Sequence, residues 1–147
     1  MSMNNRTVIV ITGPTASGKT SLGVSLALAL GTEVVSADSM QLYRGMDIGS
    51  AKPTREEMRG VPHHMIDVAD PAEDYSVSRW VENAAACCDA LLAGGKTPVI
   101  VGGTGLYIES LLSGRDFSAA PGDSGVREAL GAEYDALGGA AFREKLR

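Results

Sequence analysis

Three stretches of the chain, TVIVIT (residues 7–12), EVVSA (33–37) and TPVIVGG (97–103), are short apolar runs rich in β-branched residues. Their apolar positions do not alternate with polar ones, the pattern of strands covered on both faces of a parallel sheet. KTSLGVSLALAL, residues 19–30, predicts a helix that Gly31 stops. Farther on, Val77, Trp80, Val81, Ala84, Ala85, Cys88, Leu91 and Leu92 recur at the i, i+3, i+4, i+7 spacing of one helix face, and Gly94-Gly95 ends that run. TGLYIESLLSG opens a further helix directly after the third apolar run. Strand and helix alternating three times predict an α/β fold with a parallel sheet and right-handed crossovers.

Between the second strand and the long helix, MDIGSAKPTREEMRGVPHHMIDVADP carries Gly or Pro every few residues. It reads mostly as loop, with a short helix over residues 54–58. After Gly114 the character changes: RDFSAAPGDSG reads as a linker and VREALGAEYDALGGAAFREKLR as one or two polar helices. The expected organisation is a core over residues 1–114, then a linker and the start of a helical insert over 115–147. Three strands make a thin sheet for this architecture, so the chain is expected to be the front half of something longer, truncated before its sheet is complete.

Composition narrows the class. The chain has 147 residues, 44% apolar and 21% charged, as in an ordinary soluble domain. No apolar run nears the roughly 18 residues of a membrane helix. The lead-in before Arg6 lacks the apolar stretch of about 7–15 residues that marks a signal peptide. A cytoplasmic protein without membrane association is expected. Cys87 and Cys88 are adjacent, a poor arrangement for a disulfide or a metal site, and read as reduced core residues. Residues 1–60 hold six Lys/Arg against five Asp/Glu, and residues 61–147 seven against thirteen. Any nucleic-acid surface must therefore be a local patch or lie outside these residues.

GPTASGKT, comprising Gly13, Pro14, Thr15, Ala16, Ser17, Gly18, Lys19 and Thr20, fits GxxxxGK[ST] between a strand and a helix. That context makes it a phosphate-binding loop and the fold P-loop NTPase-like, with three layers. The glycines let successive N–H groups curl toward phosphate oxygens, and the helix start adds its positive dipole end. Lys19 reaches the outer phosphate, and the Thr20 hydroxyl is placed to hold Mg²⁺. The loop identifies a phosphate chain without identifying a reaction.

Asp38, at the end of VVSAD, carries the choice of reaction. It can cap a turn, hold magnesium through water, or act as a general base at the carboxyl edge of the sheet. Local chemistry leaves the last two open. The order GPTASGKT, SADSMQLYRGMDIGSAKP, VPHHMIDVADP and VGGTGLYIESLLSG, running from Val8 to Gly114, resembles the tRNA dimethylallyltransferases, also called tRNA isopentenyltransferases. The resemblance implies transfer of a dimethylallyl group from dimethylallyl diphosphate to the exocyclic amine of the adenosine 3′-adjacent to the anticodon of a tRNA. It implies that the loop holds the departing diphosphate in place of ATP and that Asp38 is the catalytic base. By the same resemblance Asp38, Ser39, Met40 and Gln41 meet the tRNA anticodon stem-loop. Thr104 lies near both the diphosphate and the tRNA, and Arg127 matches a further tRNA contact. The family's helical anticodon-arm domain and a later arginine for the diphosphate are not among these residues. Poor turnover by the 147 residues alone is expected, as is a monomeric state.

Other residues keep plainer expectations. His63-His64 reads as hydrogen-bonding or loop packing, and Trp80 as core. Tyr43 and Arg44 divide between RNA contact and simple surface exposure, and Lys52 between phosphate contact and surface exposure. A kinase using ATP at the same loop, a non-catalytic phosphate-binding module and an adenylate dimethylallyltransferase are the competing functions. Binding of ATP and dimethylallyl diphosphate side by side separates the first from the transferase.

Overall fold

The computed structural model describes residues 7–114 and 124–145. The polar lead-in and most of the expected linker lie outside the described residues. Two compact units result, one within Met1–Arg115 and one within Asp116–Arg147.

The first unit holds β1 (Ile9–Thr12), α1 (Lys19–Leu30), β2 (Val34–Ser36), α2 (Arg55–Met58), β3 (His63–His64), α3 (Val77–Ala93), β4 (Val99–Gly102) and α4 (Gly105–Ser113). The strands form one parallel sheet in the order β1-β4-β2-β3. Alternate residues of each strand feed opposite faces. Val34, Val99 and Val101 pack with Val24 and Ala27 of α1. On the other face Val35 and Ile100 pack with Trp80, Ala84 and Cys88 of α3 and Tyr107 and Ile108 of α4. Three layers follow, because β2 and β4 send apolar side chains to both faces.

Trp80 is fully buried, stacked on Tyr107 with ring centroids 4.6 Å apart and planes at 20°. It belongs to the core, as its helical spacing requires. Cys88 is buried and Cys87 half-buried, both free thiols. Burial pushes the Cys88 thiol up to about 11, so it stays protonated. Gly31 ends α1 in the left-handed region, where glycine carries no Cβ penalty.

The segment expected to be mostly loop gives two short elements. Thr54 caps α2 through a capping box: its hydroxyl accepts from Glu57 N at 3.2 Å, and the Glu57 carboxylate accepts from Thr54 N at 2.8 Å. Beyond it, His63 and His64 form a fourth strand beside Val34 and Val35. Two residues with no apolar run cannot announce a strand; the pairing with β2 makes them one.

His64 Nε2 lies 2.7 Å from Glu33 Oε2, and Lys96 Nζ donates to Glu33 Oε1 at 2.7 Å. The carboxylate thereby ties β3 to the amino ends of β2 and β4. The Lys96 hydrogen bond first, and the His64 one second, hold the Glu33 carboxyl below its ordinary 4.5. A lowered carboxyl pKa stabilises the fold above the unfolded value, and the contribution is lost as pH falls through the folded one. Glu33→Gln should thus lower the urea midpoint modestly at neutral pH, on the scale of surface ion pairs. The gap between variant and parent should close below pH 4.5.

The second unit is α5 (Ser124–Lys145), broken at Gly138, where φ is 77° and ψ 157°. Tyr134 and Phe142 meet edge-on across this break, with centroids 5.6 Å apart. The polar tail thus forms two helical pieces.

Candidate functional site

The glycine loop joins β1 to α1 at the carboxyl edge of the sheet. Ala16 (φ 62°) and Gly18 (φ 83°) both take positive φ, which curls the loop. Among the described residues no side chain caps α1, so its first-turn N–H groups have no side-chain acceptor from the N-cap. Lys19 arches back over the loop, its Nζ donating to Pro14 O at 2.5 Å. A cleft of about 680 Å³ opens here, within the size range of small-molecule sites. Thr15, Ala16, Ser17, Gly18, Lys19 and Thr20 line it, together with Asp38 and Gln41.

Asp38 is brought there by β2. Ala37 N donates to Val101 O at 2.8 Å, which carries the strand pairing one residue beyond Ser36. The chain then turns: Asp38 Oδ1 accepts from Met40 N at 2.9 Å and Gln41 N at 3.3 Å. This is an Asx-type turn. Oδ2 has no hydrogen-bond partner among the described residues. One oxygen of the carboxylate shapes the turn, and the other remains available on a residue that lines the cleft. The turn-capping and site-facing readings of Asp38 are thus compatible.

Neighbouring residues brace this turn. Gln41 accepts from Ser36 Oγ at 3.1 Å and donates from Nε2 to Ala51 O at 3.0 Å, joining β2 to the loop that follows Gly49. Thr104 Oγ1 accepts from Ser39 N at 3.0 Å, while Thr104 N donates to Ala37 O at 3.1 Å. The start of α4 is thereby stapled to both sides of Asp38. Gly102 makes the staple possible: a Cβ there would fall 2.1 Å from Ala37 O. Met40 is about half exposed. Gly13, Pro14, Ser39, Met40 and Thr104 support the cleft without lining it; Arg127 is exposed on α5, in the other unit.

Lys52 also lines the cleft, but its ammonium is already engaged. It donates to Tyr43 O at 2.8 Å, Asp47 Oδ1 at 2.7 Å and Asp67 Oδ1 at 2.6 Å. Burial alone would lower its pKa, yet the bonds to Asp47 and Asp67 outweigh that and hold it above the ordinary 10.5. Lys52 clamps the loop of residues 45–53 to residues 65–69. Tyr43 packs against the core, and Arg44 is exposed beside Glu73 at 3.9 Å. Sequence reasoning passed over Arg59 and Glu57, which line the cleft from α2. No motif marks them; only the fold of the intervening loop brings them there.

For a magnesium ion, the donor set at this cleft is hard oxygen: the Thr20 hydroxyl, with Ser21 and Asp38 nearby. That chemistry fits an ion taking most of its ligands from phosphate and water. Among the described residues no helix is long and apolar enough to cross a membrane.

A glycine loop at the carboxyl edge of a parallel sheet, sharing its cleft with a carboxylate that has an oxygen to spare, defines an α/β domain of the P-loop class. Within that class the chain belongs to the IPP transferase family, whose model matches residues 41–147. A second model, described as isopentenyl transferase, matches residues 6–71. The chain is 49% identical over 144 residues to a tRNA dimethylallyltransferase of an Exiguobacterium species, covering 98% of this chain and 46% of that one. To the tRNA dimethylallyltransferase of Desulforudis audaxviator it is 57% identical over 105 residues, 71% of this chain and 34% of the relative. Among solved structures it is similar to the full-length tRNA isopentenylpyrophosphate transferase of Bacillus halodurans. There the TM-score is 0.76 at 44% identity, over 96% of this chain and 46% of that one. A eukaryotic dimethylallyltransferase described as acting on tRNA gives a TM-score of 0.73 at 34% identity, over 77% of this chain and 28% of that one. The chain thus spans a little under half the length of the first curated relatives it matches.

Proposed function

We propose that this chain carries the donor site and general base of a tRNA dimethylallyltransferase. The observation that supports the reading most is that Asp38 and the phosphate loop line one cleft. Dimethylallyl diphosphate seats its diphosphate on the loop N–H groups and the start of α1, and Lys19 exchanges Pro14 O for a phosphate oxygen. Thr20 is the residue that would hold Mg²⁺, which when bound supplies charge neutralisation for the departing diphosphate. The exocyclic amine of the adenosine 3′-adjacent to the anticodon forms a bond to the allylic carbon. The C–O bond breaks, its electron pair leaves with the diphosphate, and Asp38 Oδ2 takes the amine proton.

Each role has a physical reason. The amine lone pair is delocalised into the purine ring, so a carboxylate that removes its proton during attack accelerates the step. Charge accumulates on the diphosphate as the bond breaks, so fixed donors stabilise the transition state more than the ground state. A base in a single-stranded loop leaves its stack more easily than one in a duplex. Ser39, Met40, Gln41, Thr104 and Arg127 are the proposed tRNA contacts, with Thr104 also fixing the Asp38 turn through Ser39.

The test is calorimetric binding of dimethylallyl diphosphate and ATP to the 147-residue chain, alongside Lys19→Ala. The prenyl diphosphate should bind more tightly than ATP. Lys19→Ala should weaken it by roughly 10–100-fold, the loss of one hydrogen bond to a charged group. Tighter binding of ATP would turn the reading toward a kinase.

A further inference from the structure

The charged residues lining the cleft are Lys19, Lys52, Arg59, Asp38 and Glu57. Lys52 is neutralised twice over by Asp47 and Asp67. The Glu57 carboxylate is committed to the Thr54 capping box, whose backbone hydrogen bond first of all holds it ionised. Asp38 adds a second negative charge. The cations left to offset both, and to attract a polyanion, are Lys19 and Arg59. Lys19 sits on the loop itself. The Arg59 guanidinium has no hydrogen bond, ion pair or ring contact among the described residues, although it lines the cleft.

The backbone fixes where that guanidinium starts from. Arg59 ends α2 in the left-handed region, at φ 51° and ψ 34°, and its N–H donates to Glu56 O at 3.1 Å. One side is held by the capping box. The other is held by Val61, which is buried against the α1 face of the sheet and donates to Met58 O at 2.9 Å. Helix α2 itself packs on α1, the helix that begins at the phosphate loop. Glycine adopts this conformation without strain, and Gly60 stands next in the chain at φ 79°. A long cation is nevertheless placed at the strained position, and backbone strain of this kind gathers at functional sites.

We propose that Arg59 is a second phosphate-binding residue of the donor site, its guanidinium fork holding diphosphate oxygens from the side of the cleft opposite in sequence to the glycine loop. The proposal rests on the donor-site reading given above and extends it to a residue outside the loop motif. A planar fork suits two oxygens of one diphosphate better than a point charge does. With Lys52 locked, Lys19 and Arg59 are the cations that offset Asp38 and Glu57, so without Arg59 a diphosphate would meet a net negative lining.

The experiment uses the 147-residue chain with inorganic pyrophosphate as the probe, in calorimetric titrations at two salt concentrations. Arg59→Gln should weaken binding roughly 10-fold or more and flatten its salt dependence, and Arg59→Lys should recover part of the loss. Arg59→Gly relaxes the left-handed backbone, so weaker binding with an unchanged or raised urea midpoint separates the charge from the fold. Parent-like pyrophosphate binding by Arg59→Gln overturns the proposal. So does a loss confined to an anticodon stem-loop RNA, which would make Arg59 an RNA contact. Lys19→Ala is the separate control: if it too binds pyrophosphate like the parent, the donor-site reading fails, whatever Arg59 does.

Discussion

Asp38→Asn is expected to slow prenyl transfer by roughly 10²–10⁴-fold, the usual contribution of a positioned general base. Donor binding should not weaken, because the substitution removes a negative charge from the cleft. The substitution is informative because it leaves the turn in place. An asparagine Oδ1 still accepts the N–H groups of Met40 and Gln41, which Asp38 Oδ1 receives at 2.9 and 3.3 Å. It loses only the second oxygen, the one that can take a proton. Asp38→Ala loses both functions, so it should match asparagine in rate while adding a stability loss of about 1 kcal/mol for the turn. The measurement is transfer of labelled dimethylallyl to an anticodon stem-loop by a chimera joining these residues to the C-terminal remainder of a curated relative. A purely turn-capping Asp38 predicts the reverse order, with asparagine close to the parent and alanine impaired.

Gly102→Ala is expected to be the most damaging single methyl in the first unit. Its Cβ would sit 2.1 Å from Ala37 O, 2.4 Å from Ala37 C and 2.7 Å from its Cα. All three are backbone atoms, so no rotamer change relieves the overlap. The carboxyl ends of β2 and β4 must part, straining the bonds from Ala37 N to Val101 O and from Thr104 N to Ala37 O. The upper end of overpacking costs together with a hydrogen bond weakened in place gives a loss of about 3 kcal/mol or more, read as a shift in urea midpoint. Because those bonds also hold the turn at Asp38, donor binding and transfer should suffer beyond the loss of folded protein. Gly23→Ala supplies the contrast. Its methyl meets Val101 Cγ2 at 2.5 Å, a side chain that can rotate, so its cost should be smaller. A parent-like midpoint for Gly102→Ala would mean that the two strand ends do not approach as closely as described.

What could be read from sequence was what local chemistry determines. The glycine loop, the stop at Gly31 and the apolar stripe carrying Trp80 each depend on residues within a few positions of one another, and each appears in the structure where the pattern put it. β3 escaped notice because two histidines become a strand only by pairing with Val34 and Val35. Lys52 offered either a solvent-facing or a phosphate-facing role, and its three acceptors arrive from Tyr43, Asp47 and Asp67, one of them fifteen positions away. Asp38 reads from sequence as turn cap or functional carboxylate; in the structure Oδ1 shapes the turn, and Oδ2 has no hydrogen-bond partner among the described residues. Arg59 lacked any motif, since a cleft assembled from a distant loop leaves no spacing to recognise.

Among the described residues, the order β1-β4-β2-β3 places the strand that feeds the phosphate loop at the border of the sheet, laddered on the β4 side alone. Amide protons of Ile9 through Thr12 are therefore governed by shallower openings than those of Val99 through Gly102, which are flanked on both sides. Anything that zips along the outer flank of β1 would damp those openings and stiffen the loop at Gly13, tightening anion capture from a position that never touches the anion.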